Sequence, residues 1–533
     1  MYKPARTLAC PLWMVLILCL SQFPGLAQTA SPPGDSGPHE RKIRLIDALN
    51  ATYISSPRLK SQGLAEAQIA GDQLIAKSAF NTDTSISLSQ DNAKTPLTPA
   101  QVNENAPYTS SVINTHTTTL SATVSKLFPN GVTASGVIED ERVVDNETQL
   151  GGVNFSSVYG EVTLPLLKGR GRAITAATSD AAGFERRATQ QDNVRFVQTT
   201  LASTARTYWA LAAAQEMTAI AAAAEVRRRK YVDDVKAYIK ADRVPANDLN
   251  LVQANLSQRS SDTVGEEQNR LAQQEQLKIM TAIGTNAGDE VLVASDPLPS
   301  AGDVVFPKPT SRTFAQLLDR ALAHHQDYQA ALTRISEAQR MLQAKHQGVL
   351  PSLDLDFRTG YSGLTIGRGF SSFVHSTVIG VPGPNLLGSI SYAYPAGNDA
   401  AHGALLQSLT TLKQNELTRD ALRLEIQGTV ETAVNMLYSA GRQLQLLHDA
   451  TVSLEKALAG DQIRYRAGLI DINDLLITED RLTSAASQEA QARLNYADAI
   501  IALNDSTGDL TQPAGVTLGK IDSRPFILPV PEP

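Results

Sequence analysis

Two acidic residues three apart, Asp471 and Asp474, stand where a loop enters a helical stretch in RYRAGLIDINDLLITEDRL (residues 464–482). Their chemistry has two readings. Aspartate at a helix start caps free N–H groups and favours the positive end of the helix dipole. Exposed carboxylates one turn apart also attract cations. The other reactive residue types are sparse. His324 and His325 have neither cysteine nor a His–carboxylate pattern at ligand spacing, so a solvated helix start is expected and no metal. LLKGRGR (166–172) lacks the Gly-Lys-Ser/Thr ending of a phosphate loop, and a Gly-x-Ser-x-Gly elbow is absent. RRRK (227–230) lies in a helical stretch containing Ala and Glu and reads as a solvated face. With a net charge of −7, it gives no reason to expect a nucleic-acid surface. The residues carry no nucleophile constellation and no cofactor motif. An enzyme is not expected.

The elements that position those aspartates are written twice. YIKADRVPANDLNLVQANL (238–256) passes through a short break into Asn-Asp-Leu, as the later segment does, and the aspartates at 248 and 474 lie 226 residues apart. LIDALN (45–50) likewise resembles LLDRAL (317–322), and each opens a helix-like segment that closes before an alternating stretch. Period-two alternation predicts strands around Ile86 and Leu88, Leu120 to Val124, Val158 to Leu164, Leu353 to Phe357, and Ile390 to Tyr394. The last strand of each copy ends at a proline, Pro165 and Pro395, followed by glycine and a helical pattern. The hairpin-like 123–142 either lengthens strands or forms an extracellular loop. Tyr361, Phe370, Phe373, Tyr392 and Tyr394 are candidates for an interfacial girdle or for local sheet packing.

The helical stretches are long. Leu422, Ile426, Val430, Ala433, Leu437, Ala440, Leu444 and Leu447 step by four and three, a coiled-coil spine. Some 65 helical residues from about residue 402 measure on the order of 95 Å. The returning helices are shorter, and the segments near 44–79 and 313–347 supply the missing length if stacked end to end with them. No segment after the N-terminus offers about 18 uninterrupted apolar residues. A membrane-embedded form must therefore be a closed β-barrel. One chain with four to six strands cannot close a barrel, which needs about eight. Several chains must share it, and their helices continue it as a hollow tube.

The segment 1–27 reads as a secretory signal. Lys3 and Arg6 precede the apolar run PLWMVLILCL, and Gly25 and Ala27 stand at a cleavage-site spacing. Both cysteines, Cys10 and Cys19, fall inside it, so the exported chain is expected to carry no disulfide, no cysteine metal site and no lipid anchor.

These motifs resemble the outer membrane efflux protein family, the TolC-like channels. The residues that carry the resemblance are RYRAGLIDINDLL (464–476) with ALNDSTG (502–508), VPANDL (244–249) with TAIG (281–284), the strand-to-helix passages at Pro165 and Pro395, and VLPSLDL (349–355). The resemblance spans about 41–510. It implies an α+β membrane protein built as a homotrimer. Four strands per protomer would enter a shared twelve-stranded transmembrane β-barrel in outer-membrane lipid, continued by a long α-helical coiled-coil tunnel in the periplasm. It also implies partners, a periplasmic adaptor protein and an inner-membrane pump, docked at the hairpin tips Arg243, Val244, Ala467, Gly468 and Leu469. The tube would be a passive exit for drugs, metals, small molecules or polypeptides, without a cofactor. The family's aperture-lining acidic positions fall on Asp474 and, as a departure, Ile477, although Asp471 lies one turn earlier on the same face and joins the aperture candidates. Three such carboxylates on a symmetry axis would favour cations and bind divalent or hexammine-like blockers. Its aperture-closing tyrosine falls on Tyr465, and that residue's arginine partner falls on Ile470, another departure. Tyr465 reads equally as an interhelical packing residue, and Gly468 as a left-handed helix stop.

The expected organisation is a signal (1–27), a flexible segment (28–40), repeat one (41–284), a linker (285–311), repeat two (312–510) and an unstructured proline-containing tail (511–533). A coiled-coil scaffold of the periplasm or cell surface with β-rich caps and no pore is the rival reading.

Overall fold

A computed structural model of the chain describes residues 39–104, 111–146, 151–242, 244–283, 290–304, 308–367, 369–378, 380–510 and 521–529. The segment 1–27 read as a secretory signal, Arg243 and Gly284 lie outside these residues. From the N-terminal side, β1 (His39–Ile43) leads into α1 (Leu45–Ser55) and α2 (Pro57–Ser78). They part at Ser56 because the residue before a proline avoids the helical region. Then come β2 (Thr82–Pro96), a short α3 (Pro99–Glu104), β3 (Val112–Leu127), β4 (Thr133–Asp145) and β5 (Val153–Pro165). A single turn, α4 (Arg172–Thr175), precedes the 64-residue α5 (Ala177–Lys240), and α6 (Asp248–Thr281) returns along it.

Repeat two follows the same plan. After β6 (Glu290–Ala294) come α7 (Ser311–His324) and α8 (Gln326–Gly348), then β7 (Ser352–Ile366), a short α9 (Phe370–His375) and β8 (Pro384–Ala393). The 68-residue α10 (Asp399–Arg466) and α11 (Ile472–Ser506) complete it. At 1.5 Å per residue α10 is roughly 100 Å long. The predicted spine holds. Ile426, Val430, Ala433, Leu437, Ala440 and Leu444 are buried, and α7 adds Leu317 and Ala321 to the same core.

The strands form one antiparallel sheet in the order β2-β3-β4-β5-β7-β8. That is six strands among the described residues, where the resemblance implies four. The difference is the segment 123–142. It neither lengthens the other strands nor forms a loop at the far end. It supplies the facing halves of β3 and β4, with the turn at 128–132 on the helix side of the sheet. Gly131 is held there at φ 95°, where a Cβ would lie 2.3 Å from the Gly169 carbonyl oxygen, and the Gly171 N–H donates to the Asn130 carbonyl at 2.9 Å. The extra turn is thus seated on the passage from β5 to α5.

A second small sheet pairs β1 with β6 in parallel. Residues 39–40, expected to be flexible, are therefore held, and the linker contributes a strand. Buried Tyr208 of α5 ties this sheet to the helices. Its hydroxyl lies 2.9 Å from Asp296 Oδ2 and 3.1 Å from the Ile43 carbonyl, while Asp296 Oδ2 accepts from the Leu45 N–H at 2.6 Å.

Three further expectations are corrected. The tail is not unstructured over 521–529. Phe526 is fully buried against the core containing Trp209, Leu201 and Ile501. Asn504 donates to two tail carbonyls, those of Pro525 and Leu528. The His pair is not a solvated helix start. His325 occupies the break between α7 and α8 and is buried, and that burial, with Arg195 nearby, pushes its pKa down to about 4. The run 227–230 is not a solvated face, as described below. Among the described residues no group of His, Cys, Asp and Glu is arranged to hold a metal ion.

The docked tail has a measurable consequence. Phe526→Ala is expected to cost about 3–5 kcal/mol of stability, the usual penalty for emptying a packed aromatic site. The check is denaturant unfolding of the detergent-solubilised protein followed by tryptophan fluorescence.

Candidate functional site

The two hairpin ends are made by matching backbone turns from different residues. In repeat two the chain leaves α10 through Gly468 at φ 72°. The Leu469 N–H donates to the Arg464 carbonyl at 2.9 Å and the Gly468 N–H to the Tyr465 carbonyl at 2.9 Å. This is the Schellman stop that satisfies orphan carbonyls at a helix end. In repeat one the left-handed position is taken by Asp242 at φ 57°, whose N–H donates to the Ile239 carbonyl at 3.0 Å. Aspartate tolerates this conformation better than most residues. Ala467, Gly468 and Leu469 are exposed at the apex, Leu469 by 74%. Val244 is half-buried against the tip core, and Arg243 lies outside the described residues.

Asp471 is the N-cap of α11, its Oδ1 accepting from the Asp474 N–H at 2.9 Å. Capping is thus what Asp471 does. Asp474 is exposed in the first turn, and Ile477, one turn on, is also exposed. The Tyr465 ring is turned away into the tip core formed by Val235, Val252, Leu458 and Leu475. It meets Tyr238 edge-on, with centroids 5.9 Å apart. Burial, with Tyr238 beside it, pushes the Tyr465 hydroxyl up to about 12, and that oxygen finds no partner among the described residues. In this chain Tyr465 is therefore an interhelical packing residue, and Ile470 packs beside it.

A buried charged cluster between the two hairpins lies further up, at the basic run expected to be solvated. Arg228 of α5 is 1% exposed and pairs with Asp480 and with fully buried Glu479, both of α11. Arg227 reaches Glu479 at 2.8 Å, and Arg259 of α6 reaches Asp480 at 2.5 Å. The RRRK run is half interior because α11 presents two adjacent carboxylates to it. Buried guanidinium groups persist where such partners exist. Arg followed by Glu-Asp on a helix of the other repeat is the only sequence signal for this cluster. Nothing local connects Arg228 with Asp480, 252 residues away.

At the other end, the register divides the sheet into two faces. One carries Ile86, Leu88, Ile138, Phe357, Leu386 and Ile390, all exposed and apolar. Tyr361 and Tyr392 fall on this face at opposite ends of β7 and β8. Tyr394 lies just past β8 and is exposed, while the side chains of Phe370 and Phe373 are outside what is described. The opposite face is polar and acidic toward the helices, with Asp83, Glu139, Glu161, Asp354 and Asp356, and Arg358 paired to Glu161 at 2.8 Å. Phe155 and Leu364 interrupt it toward the far end. Buried Pro165 closes β5 and exposed Pro395 follows β8, each at a strand-to-helix passage as expected. No helix among the described residues is long and apolar enough to cross a membrane. The apolar sheet face is the surface suited to lipid.

An amphipathic antiparallel sheet at one end of two helical hairpins about 100 Å long is an arrangement similar to that of solved outer-membrane channels. Residues 317–509, most of repeat two, match the family described as outer membrane efflux protein. The outer membrane channel CmeC of Campylobacter jejuni superposes with a TM-score of 0.62 at 14% identity, over 88% of this chain and 87% of that one. The open state of the MtrE outer membrane channel of Neisseria gonorrhoeae gives 0.62 at 14%, over 87% and 89%. In sequence, the chain is 26% identical over 274 residues to the pyoverdine export outer membrane protein OpmQ of Pseudomonas putida. That match covers 49% of this chain and 55% of the relative, so it spans about half of that protein's length.

Removing one member of a buried ion cluster strands the other. Arg228→Ala is expected to lower stability by about 3 kcal/mol. Arg228→Met combined with Glu479→Leu should restore most of the loss, because the pair is then replaced by apolar packing rather than broken. Urea unfolding midpoints of the three proteins check both statements.

Proposed function

We propose that this protein is the outer-membrane exit duct of a tripartite efflux system. The observation that carries the reading is the amphipathic sheet with two open edges, joined without a break to the long helical hairpins. Three copies share one barrel, with the apolar face toward lipid and the polar face toward the bore. Their hairpins continue it as a tunnel through the periplasm. The conduit is passive, and cargo is selected by the pump that feeds it. A relative named for pyoverdine export supports small-molecule cargo over polypeptides.

The tips 244 and 467–469 dock the periplasmic adaptor. Exposure of Ala467 and Leu469 beside a rigid Schellman turn gives such a partner a fixed apolar apex. Asp474 contributes one carboxylate per copy to the aperture, while Asp471 shapes the helix start that presents it. With Ile470 and Ile477 at the departing positions, closure depends on Tyr465 packing against Tyr238 and on the charged cluster above it.

Membrane fractions should contain a heat-modifiable, detergent-dependent trimer. A protein that stays soluble after removal of its leader would support the scaffold instead. Single-channel recordings of the wild type should show block by a hexammine cation, and Asp474→Ala should weaken that block by roughly tenfold or more, as loss of a charged ring requires. Unchanged block would remove Asp474 from the aperture.

A further inference from the structure

The strand count changes what three copies enclose. Along β2-β3-β4-β5-β7-β8 successive strands alternate in direction, so the two edge strands, β2 and β8, run opposite ways. Every residue of β2 and of β8 is exposed. An open edge is not tolerated in lipid, since its N–H and C=O groups have no partner there. An even number of strands per copy lets β8 of one copy meet β2 of the next antiparallel, without a parity mismatch.

The helices present the same two open sides. α2, which leads into β2, packs on α5. α8 packs on both α5 and α10, and α10 follows β8. The helices thus stand in the order α2, α5, α8, α10, matching the strands above them. The seam inside the chain, α5 against α8, is closed by charge. Arg334 reaches Asp192 at 2.6 Å and Glu185 at 3.2 Å, and Arg340 reaches Asp180 at 2.5 Å. The outer sides of the row carry leucine instead. Leu64, Leu74 and Ile75 of α2 are 72%, 69% and 71% exposed, and Leu406, Leu417 and Leu424 of α10 are 64%, 57% and 69% exposed. By repeat symmetry, α10 against the next copy's α2 corresponds to α5 against α8. Apolar residues exposed at that density on two helices call for burial.

From these edges we infer that the β8–α10 side of one copy seats on the β2–α2 side of the next, so that three copies close an eighteen-stranded barrel rather than a twelve-stranded one. The inference rests on the trimeric exit duct proposed above and specifies its bore. Barrel diameter grows about linearly with strand number. The outer-membrane section is therefore about 1.5 times as wide as twelve strands allow, within the range where an aqueous channel stays open. The hairpin of β3 and β4 is the widening element, and its turn on the β5–α5 passage fits the broader rim to the tunnel. Discrimination among cargoes then falls to the periplasmic end, not to the barrel.

Cysteine pairs test the seam, in a chain with Cys10 and Cys19 replaced by serine. Ser85→Cys, Ser87→Cys and Ser89→Cys on the polar face of β2 are each combined with Ser389→Cys or Ser391→Cys on the polar face of β8. At least one combination should give covalent dimers and trimers on mild oxidation, while single variants give none. Electron cryomicroscopy of the uncross-linked particle should count eighteen strands. A trimer with twelve strands in its barrel, or one in which none of the six pairs cross-links, overturns the inference and leaves the exit-duct reading intact. A particle that is not trimeric overturns both.

Discussion

A hydrocarbon layer offers no hydrogen-bond partner to a peptide group, and this constraint organises the whole molecule. A sheet of six strands cannot satisfy its own edges, so the chain is built with one side for receiving and one for giving. The edge strands lie directly above the helices α2 and α10, whose outer sides carry exposed leucines. Strands and rods therefore present a single continuous boundary. The helices solve the same problem internally, since each backbone bond closes within its own rod. Packed against α2, α6, α8 and α11, the rods extend roughly 100 Å from the sheet.

Different forces hold the three levels. Near the middle, the core of Leu201, Trp209, Ile501 and Phe526 gathers both repeats, the N-terminal strand and the tail. Above it, the seam between α5 and α8 depends on Arg334 and Arg340. Below it, Arg228, Glu479 and Asp480 tie one hairpin to the other close to their ends. An apolar centre flanked by charged ties allows the ends to be adjusted with little effect on the centre, because polar pairs depend on geometry more steeply than area burial does.

Much of this was legible in the sequence. The spine from Leu422 to Leu447 predicts α10 because apolar residues repeating every three or four positions over many turns line one side of a helix, and period two around Leu353 and Ile390 predicts β7 and β8. The repeated Asn-Asp-Leu identifies both tips, and Asp471 reads correctly as a cap. What escaped depends on contacts distant in sequence. Arg228 looks solvated until Glu479 and Asp480 arrive from a helix of the other repeat. His325 does stand at a helix start, the N-cap of α8, but its neighbours bury it where solvent was expected. The tail looks disordered because its prolines carry no periodicity, although Phe526 has a fitted site. β3 shows its alternation at Leu120, Ala122 and Val124, whereas β4 was obscured because the consecutive charges Glu139, Asp140, Glu141 and Arg142 interrupt the period of two. The six-stranded sheet follows from pairing, and pairing is not written in any one strand.

Docking of Phe526 beside Trp209 also orders the molecule in time. The residue that completes the middle of the structure follows every described strand and long helix in chain order, so the waist remains unsealed until all of them have been delivered. The C-terminal segment acts as a clasp, last in chain order, over the core that both repeats share.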